Sequence, residues 1–455
     1  MWQYLGKREV REGAEKGNTM PNISTASASV ETTTAPGQQR SYGGALAVVT
    51  TLFFMWGFLT CLNDILIPHL KSIFDLNYKQ TMLIQFAFFG SYFIFSVPSA
   101  KLIDLIGYQR SMVVGLLTMG VGAFLFVPAA SVPSYPLFLG ALIVLAAGIT
   151  CLQVAANPYV TVLGKPQTAS SRLNLTQAFN SLGTFLAPFF GGVLILSAAA
   201  KTIDEIRALP PDALQAYRVH EAATVKTPYV GLGIALVVLA IAIGLFKLPK
   251  IEHAQHKVGE KVNDSIWRHP NLVFGAIAIF VYVGAEVSIG SFLVNYFSQP
   301  EIGGLTEKAA ASFVAFYWGG AMVGRFIGSG LLQKMKTGHL LGICTICASG
   351  LVATSMLTTG HLAMYSIILV GFFNSIMFPS IFTLGVAELG PLTGDGSGLL
   401  IMAIVGGAII PLAQGAIADK IGIHHAFFLP VICYLYILFF ALSGSRPNSE
   451  RHAGA

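Results

Sequence analysis

The sequence predicts an all-α polytopic membrane protein with twelve transmembrane helices in two six-helix halves. Three observations carry that expectation: the composition, a series of twelve apolar runs, and Gly and Pro spacings that recur between the two halves of the chain. Of 455 residues, 54% are hydrophobic and only 11% are charged, and the mean hydropathy is +0.68. A soluble chain of this length carries about 25% charged residues. A net charge of +6 would suggest nucleic acid or an acidic surface as partner of a soluble domain. Here the placement of the charges matters more than their sum, and the lipid bilayer, not nucleic acid, is the expected partner.

Crossing about 30 Å of hydrocarbon takes about 20 residues of helix. Runs that meet this length lie at 44–68, 81–100, 111–130, 137–162, 173–198, 228–247, 270–297, 308–333, 339–357, 362–386, 397–417 and 424–443. The organisation expected is a disordered tail 1–42, an N-terminal half 43–247, a linker 248–269, a C-terminal half 270–445 and a tail 446–455. The first tail lacks the apolar core of a secretory signal. Met20 is an alternative start within it, and the tripeptide at Asn22 is a chance glycosylation match. With the N-terminus in the cytoplasm, 19 of the 27 Lys and Arg fall on the cytoplasmic side, so both termini are expected there. The long connection 201–227, with four basic and four acidic residues, reads as an external connector containing short helices. All five cysteines lie in apolar runs, and Cys344 and Cys347 form a CxxC with no second ligand pair nearby. Neither a metal site nor a disulfide framework is expected.

An internal repeat organises the spans. Leu163 and Gly164 follow Pro158 at the spacing with which Leu384 and Gly385 follow Pro379. Gly183, Pro188 and Gly192 are matched by Gly406, Pro411 and Gly415, and the run Ala87–Gly90 is echoed by Ala315–Gly319. The offsets are 221, 223 and 228–229 residues, which maps spans one to six onto seven to twelve. Carriers of the major facilitator superfamily are built this way, with substrate near the midplane between two rocking halves.

Two acids stand deep in apolar helices: Asp64 in span one and Glu286 in span seven. A charge at the bilayer centre costs about 2.5–3.5 kcal/mol on insertion scales, so each requires a reason. The repeat offset carries Asp64 to near residue 287, which places the acids as counterparts on opposite walls of a central cavity. Each is either a proton-coupling acid or a static hydrogen-bond acceptor. Around them stand Asn63, Gln85, Gln153, Asn157, Gln177, Asn180, Asn295 and Asn374, whose amides both donate and accept, as a polyhydroxylated solute requires. Tyr282, Tyr317 and Trp318 offer rings for the apolar face of a sugar. Any of these amides also serves as helix–helix glue. Arg325 is expected either to pair with Glu388 or Asp395 as a gate or to act as a positive-inside anchor, and Asp104 sits in a partial match to the facilitators' loop motif, "DLIGYQR".

The runs "LNDILIPHL", "CLQVAANPYVTVLG", "RLNLTQAFNSLGTF", "YVGAEVSIGSFLVNY" and "FPSIFTLGVAELG" resemble the fucose–galactose–glucose:proton symporters of that superfamily, over about 43–442. The resemblance implies symport of a monosaccharide across a bacterial inner membrane, driven by H+ or, in some members, Na+, with no other cofactor. The fucose branch pairs the span-one Asp with a Glu in span four; Gln153 stands at that place, and Glu286 is the candidate replacement. This combination resembles the glucose/galactose branch. Glucose or galactose is the first expectation, N-acetylglucosamine or fucose the next, carried by a monomer. The alternatives are an uncoupled facilitator or exporter and a non-transporting sensor. An enzyme is not expected, because no nucleophile–base pair, metal cluster or phosphate loop is present in the sequence.

Overall fold

The computed structural model describes residues 42–74, 78–132, 134–194, 209–224, 226–250 and 264–447; the side chains of 61–82, 188–194 and a few single positions elsewhere are not among what it describes. Expectations for Met20, Asn22, both chain ends and residues 251–263 therefore lie outside the described residues, as do the side chains of Asn63 and Asp64.

The described chain is helical throughout, as hydrocarbon demands of any segment that must satisfy its own backbone. Ten segments among the described residues are long and apolar enough to span a bilayer. One of these, Leu83–Ser131, is 49 residues long and comprises spans two and three. They are two helices that meet at Gly107, whose φ of 82° and ψ of 166° make the turn between them within the stretch where the sequence suggested a loop. A left-handed φ of this kind is open to glycine without steric cost. The twelfth span is helix Ala169–Leu194, less apolar than the others. Lipid-facing surfaces are plain in span six, where Ile234, Val238, Ile241 and Leu245 are 54–80% exposed at helical spacing.

The repeat is visible as packing. Span five crosses span one so closely that a side chain on Gly183 would strike the Phe54 carbonyl; span eleven crosses span seven likewise, with Gly406 on the Phe280 carbonyl. Spans three and four meet through Gly115, Gly122 and Gly148, each against the partner backbone. Small residues let helices approach without a hydrophobic driving force between them. Between the halves, span five packs on span eight, and span two on the first part of span eleven.

The halves differ in helix continuity. Spans four and five run unbroken as Tyr135–Val162 and Ala169–Leu194. Their counterparts do not: span ten is Gly360–Asn374 followed by Met377–Gly385, and span eleven is Thr393–Met402, a tight turn at Ala403–Val405, then Gly406–Ile421. Helix Pro211–Thr224 lies in the long connection and packs against spans one and two-to-three.

Candidate functional site

The chain enters at Gly43 and leaves after Gly444 at the same end of the bundle, called here the termini end. The described cross-half hydrogen bonds lie in the half of the bundle toward that end. Ser170 and Thr383 share a hydroxyl contact of 2.6 Å, and Thr337 donates to Ser170 at 2.8 Å. Ser171 donates to the Ser329 carbonyl, Asn174 to the Arg325 carbonyl at 2.6 Å, and Ser397 to the Val154 carbonyl at 2.9 Å. Arg325 itself reaches across the interface to the Ser181 hydroxyl. Toward the opposite end a cavity of about 550 Å³ opens between spans two, seven and eleven, with Gln85, Ser291, Asn295 and Asp419 as its polar lining. The described cross-half hydrogen bonds thus gather toward one end of the bundle, and the cavity between the halves lies toward the other.

The gating residues of the sequence reading lie toward the termini end. A side chain on Gly394 would meet the Asp104 carboxylate at 3.5 Å. Asp104 therefore faces the first turn of helix Thr393–Met402 of the other half, where a negative charge is favoured by the helix dipole. Arg325 does not pair with Glu388 or Asp395, as one reading of the sequence had it. Its Nε donates to the Ser375 carbonyl at 3.2 Å and its other bond is the one to Ser181. The reason is position: the guanidinium is turned into the helix interface, whereas Glu388 is exposed in the turn after span ten, at φ 60°.

In the C-terminal half the candidates converge on Glu286. The Tyr282 hydroxyl donates to Glu286 Oε1 at 2.8 Å and lies 3.1 Å from the Asn374 carbonyl. Asn374, wholly buried, donates from Nδ2 to the Tyr317 hydroxyl at 2.9 Å and accepts at Oδ1 from the Tyr434 hydroxyl at 2.8 Å. Arg325 lies within electrostatic reach of Glu286. Tyr282, expected beside a sugar, is 1% exposed, with its hydroxyl on Glu286. Trp318 stands at right angles to Tyr317 and packs over Gly290.

In the N-terminal half fewer contacts stand among the described residues. Gln153 Nε2 donates to the Tyr92 hydroxyl at 2.8 Å, and Asn180 donates to the Phe53 carbonyl at 2.9 Å. Gln177 is buried. Asn157 is wholly buried, and neither amide atom has a partner among the described residues. Buried amides without partners are uncommon, and a ligand's hydroxyls would satisfy this one.

The repeat also corrects the relation of the two acids. The matched contacts of Gly183 on Phe54 and Gly406 on Phe280 set an offset of 226 residues between spans one and seven. Asp64 then corresponds to Gly290, one helical turn beyond Glu286 on the same face. Gln85 and Asn295 share the open cavity, Tyr282 and Asn374 share the Glu286 network, and Gln153 and Asn157 stand apart from both. Sequence reasoning missed Ser170, Ser171, Ser181 and Thr383 toward the termini end, and Tyr92 and Tyr434 as partners. The run "ASSRLN" at 169–174 was the available signal, since it starts a span with hydroxyls and an amide in place of apolar residues.

Two repeated six-helix halves, bonded to each other toward one end and with a cavity between them toward the other, around buried polar side chains, define an alternating-access membrane carrier. Residues 45–404 match the Major Facilitator Superfamily, and the chain belongs to that superfamily, close to its glucose/galactose transporters and fucose–proton symporters. It is 56% identical over 413 residues to the glucose/galactose transporter of Brucella abortus, covering 91% of this chain and 97% of that one. It is 36% identical over 416 residues to the L-fucose-proton symporter of Escherichia coli, covering 89% and 94%. A crystal structure of the Major Facilitator Superfamily transporter FucP in the outward conformation superposes with a TM-score of 0.82 at 34% identity, covering 90% of this chain and all of that one.

Proposed function

We propose that this protein is a secondary active symporter that carries a neutral hexose of the glucose/galactose type into a bacterial cell together with H+. The observation that carries the reading is the Tyr282–Glu286 pair, a titratable acid held by a hydroxyl at 2.8 Å in a surround of uncharged amides. An acid in such a place binds and releases a proton as access to water alternates. The amides suit hydroxyls and, being uncharged, favour a neutral solute over an anion. The substrate class follows the relatives named for glucose and galactose, and the ion follows the symporter named for the proton. On this reading the termini end faces the cytoplasm of a cell bounded by its inner membrane, and the cavity faces outward. Asp64 is the main coupling acid, and Glu286 supplies the second acid that Gln153 cannot. Asn63, Gln85, Asn157, Gln177, Asn180, Asn295 and Trp318 contribute to the sugar path, and Asp104 and Arg325 hold the cytoplasmic end shut.

The test is uptake of a panel of labelled sugars into proteoliposomes under imposed proton or sodium gradients. Glucose or galactose is expected to accumulate on a proton gradient alone. Asp64→Asn is expected to abolish accumulation while sparing counterflow, and Glu286→Gln to do the same. Accumulation driven only by sodium, or unaltered accumulation in Asp64→Asn, sinks the reading.

A further inference from the structure

The break in span ten has a place in this scheme. Asn374 ends the first helix and Met377 begins the second, and a break of this kind frees backbone carbonyls from the i→i−4 ladder. Two of them are taken by side chains from other spans. The Asn374 carbonyl faces the Tyr282 hydroxyl of span seven at 3.1 Å, and the Ser375 carbonyl accepts from Arg325 Nε of span eight at 3.2 Å. Tyr282 has one hydroxyl proton and two acceptors, the other being Glu286 Oε1 at 2.8 Å. Arg325 likewise looks two ways, to the break and across the interface to Ser181. Next to it, Gly324 packs so tightly that a side chain there would meet the Phe372 carbonyl and the Ser375 hydroxyl. Span eight therefore cannot stay in place if the break turns. Asn374 fixes the near side of the break through Tyr317 and Tyr434.

We propose that the break at Ser375–Ile376 transmits proton occupancy at Glu286 to the contact between the halves, with Tyr282 and Arg325 as positioning residues at its two ends. This rests on the proton-coupled reading above and adds the route. With Glu286 ionised, the Tyr282 proton is held by the carboxylate, since hydrogen bonds to a charged acceptor are the stronger ones. A proton taken up from the outward cavity makes the carboxyl neutral, and the Tyr282 hydroxyl turns to the Asn374 carbonyl. The pull on the break then shifts Ser375, Gly324 and Arg325 together and releases Ser181. Among the described residues the N-terminal half shows no such device: span four is one helix, and Gln153, at the place of Asn374, donates to Tyr92. The titratable or charged groups that act on Glu286 among the described residues are Tyr282 of its own helix, Arg325 and Tyr317 of span eight and Tyr434 of span twelve.

The experiment uses the full chain in liposomes, with its five cysteines replaced and the pair Ser170→Cys and Thr383→Cys introduced as reporter. A short thiol cross-linker then reads closure of the termini end across a pH series with sugar present. The parent is expected to cross-link less as pH falls. Glu286→Gln is expected to lose the pH response, and Tyr282→Phe to lose it while Glu286 is still present. Ser181→Ala is expected to lower the yield at every pH without moving the midpoint, which a merely structural role for Tyr282 would not mimic. Should Tyr282→Phe fail to elute as a monodisperse species, Glu286→Asp withdraws the carboxylate from Tyr282 while keeping it titratable, and loss of the response is again expected. A parent without pH response, or a Tyr282→Phe protein with the parental midpoint and amplitude, overturns the proposal even if hexose uptake on a proton gradient is intact. A pH response that vanishes in Tyr282→Phe, in a protein that accumulates no hexose, overturns the substrate reading and leaves the route standing.

Discussion

Among the described residues Gln153 of the N-terminal half makes one side-chain hydrogen bond, to Tyr92; five residues before the matching proline in the C-terminal half, Asn374 makes two and lends its backbone carbonyl to a third tyrosine. The same half that holds the dense network also holds the broken spans, whereas its counterpart has continuous spans four and five. Helix–helix packing, by contrast, is shared: Gly183 and Gly406 press on equivalent carbonyls. The halves thus keep one scaffold and divide the labour. Each half keeps one wholly buried amide with no partner among the described residues, Asn157 and Gln414, and the C-terminal half in addition ties an acid to a helix break.

The shared packing is the part of the comparison whose loss costs most. Gly183→Ala and Gly406→Ala each place a methyl on a backbone carbonyl that belongs to a neighbouring helix. Backbone cannot step aside as a flexible side chain does, so each is expected to cost about 3 kcal/mol or more. Thermal unfolding of detergent-purified protein should show similar losses for both. A large loss for one and none for the other would break the claim that the halves share their scaffold.

Next comes the unequal chemistry. Asn374→Leu strips a partner from two buried tyrosine hydroxyls at once, Tyr317 and Tyr434, and Gln153→Leu strips one from Tyr92 alone. With each orphaned buried group costing about 1–3 kcal/mol, the first is expected to destabilise by about 2–3 kcal/mol and the second by about half as much. Equal losses in the same unfolding measurement would show that the network adds nothing to the C-terminal half beyond a single bond.

These two contrasts were not equally legible in the sequence. Gly and Pro reveal themselves by spacing, because few other residues suit a close crossing or a bend, and so the scaffold and its repeat could be read directly. The register of spans one and seven could not. Offsets of 221, 223 and 228–229 bracket the 226 that the Phe54 and Phe280 contacts require, and a difference of a few residues is a full helical turn. The break at Ser375–Ile376 lies four residues before Pro379 in "FFNSIMFPS", where the missing proline N–H frees the Ser375 carbonyl, and that proline was legible only as part of the repeat. The partner of Arg325 was hidden for another reason: an arginine near acids suggests an ion pair, while the Ser181 it reaches looks like any small residue of a membrane helix. Glu286 and Asn374 were legible as polar exceptions, but not that Tyr282 joins them.

Asn157 offers a smaller effect of opposite sign. Its amide is wholly buried with neither atom paired among the described residues, so the folded protein without ligand bears the desolvation cost of both. Asn157→Leu is expected to raise stability by about 1 kcal/mol and to weaken hexose binding, read by sugar-dependent protection in the same unfolding assay. Unchanged protection by sugar would remove Asn157 from the sugar path and leave Gln153 and Gln177, both buried, and the half-buried Asn180 among the candidates of the N-terminal half. A drop in stability would instead mean that the amide is satisfied within the protein.

The smallest effect belongs at the junction where the linker enters the C-terminal half. Asp264 accepts from His269 at 2.8 Å and from the Ser265 backbone at 2.7 Å. The His269 bond, followed by that to Ser265, holds its carboxyl below the ordinary value of 3.8. A carboxylate with a lowered folded-state pKa contributes stability above its unfolded value and loses that contribution only as pH falls through the folded one. Asp264 is accordingly ionised throughout pH 5–8, and it is exposed to solvent, where such pairs are weak. Asp264→Asn is expected to leave both the unfolding temperature and the pH midpoint of hexose accumulation unchanged over that range. This makes it the control for the inner acids: if it moves the transport midpoint, part of the pH response assigned to the Tyr282–Glu286 pair arises outside the bundle, and the division of labour between the halves has to be redrawn.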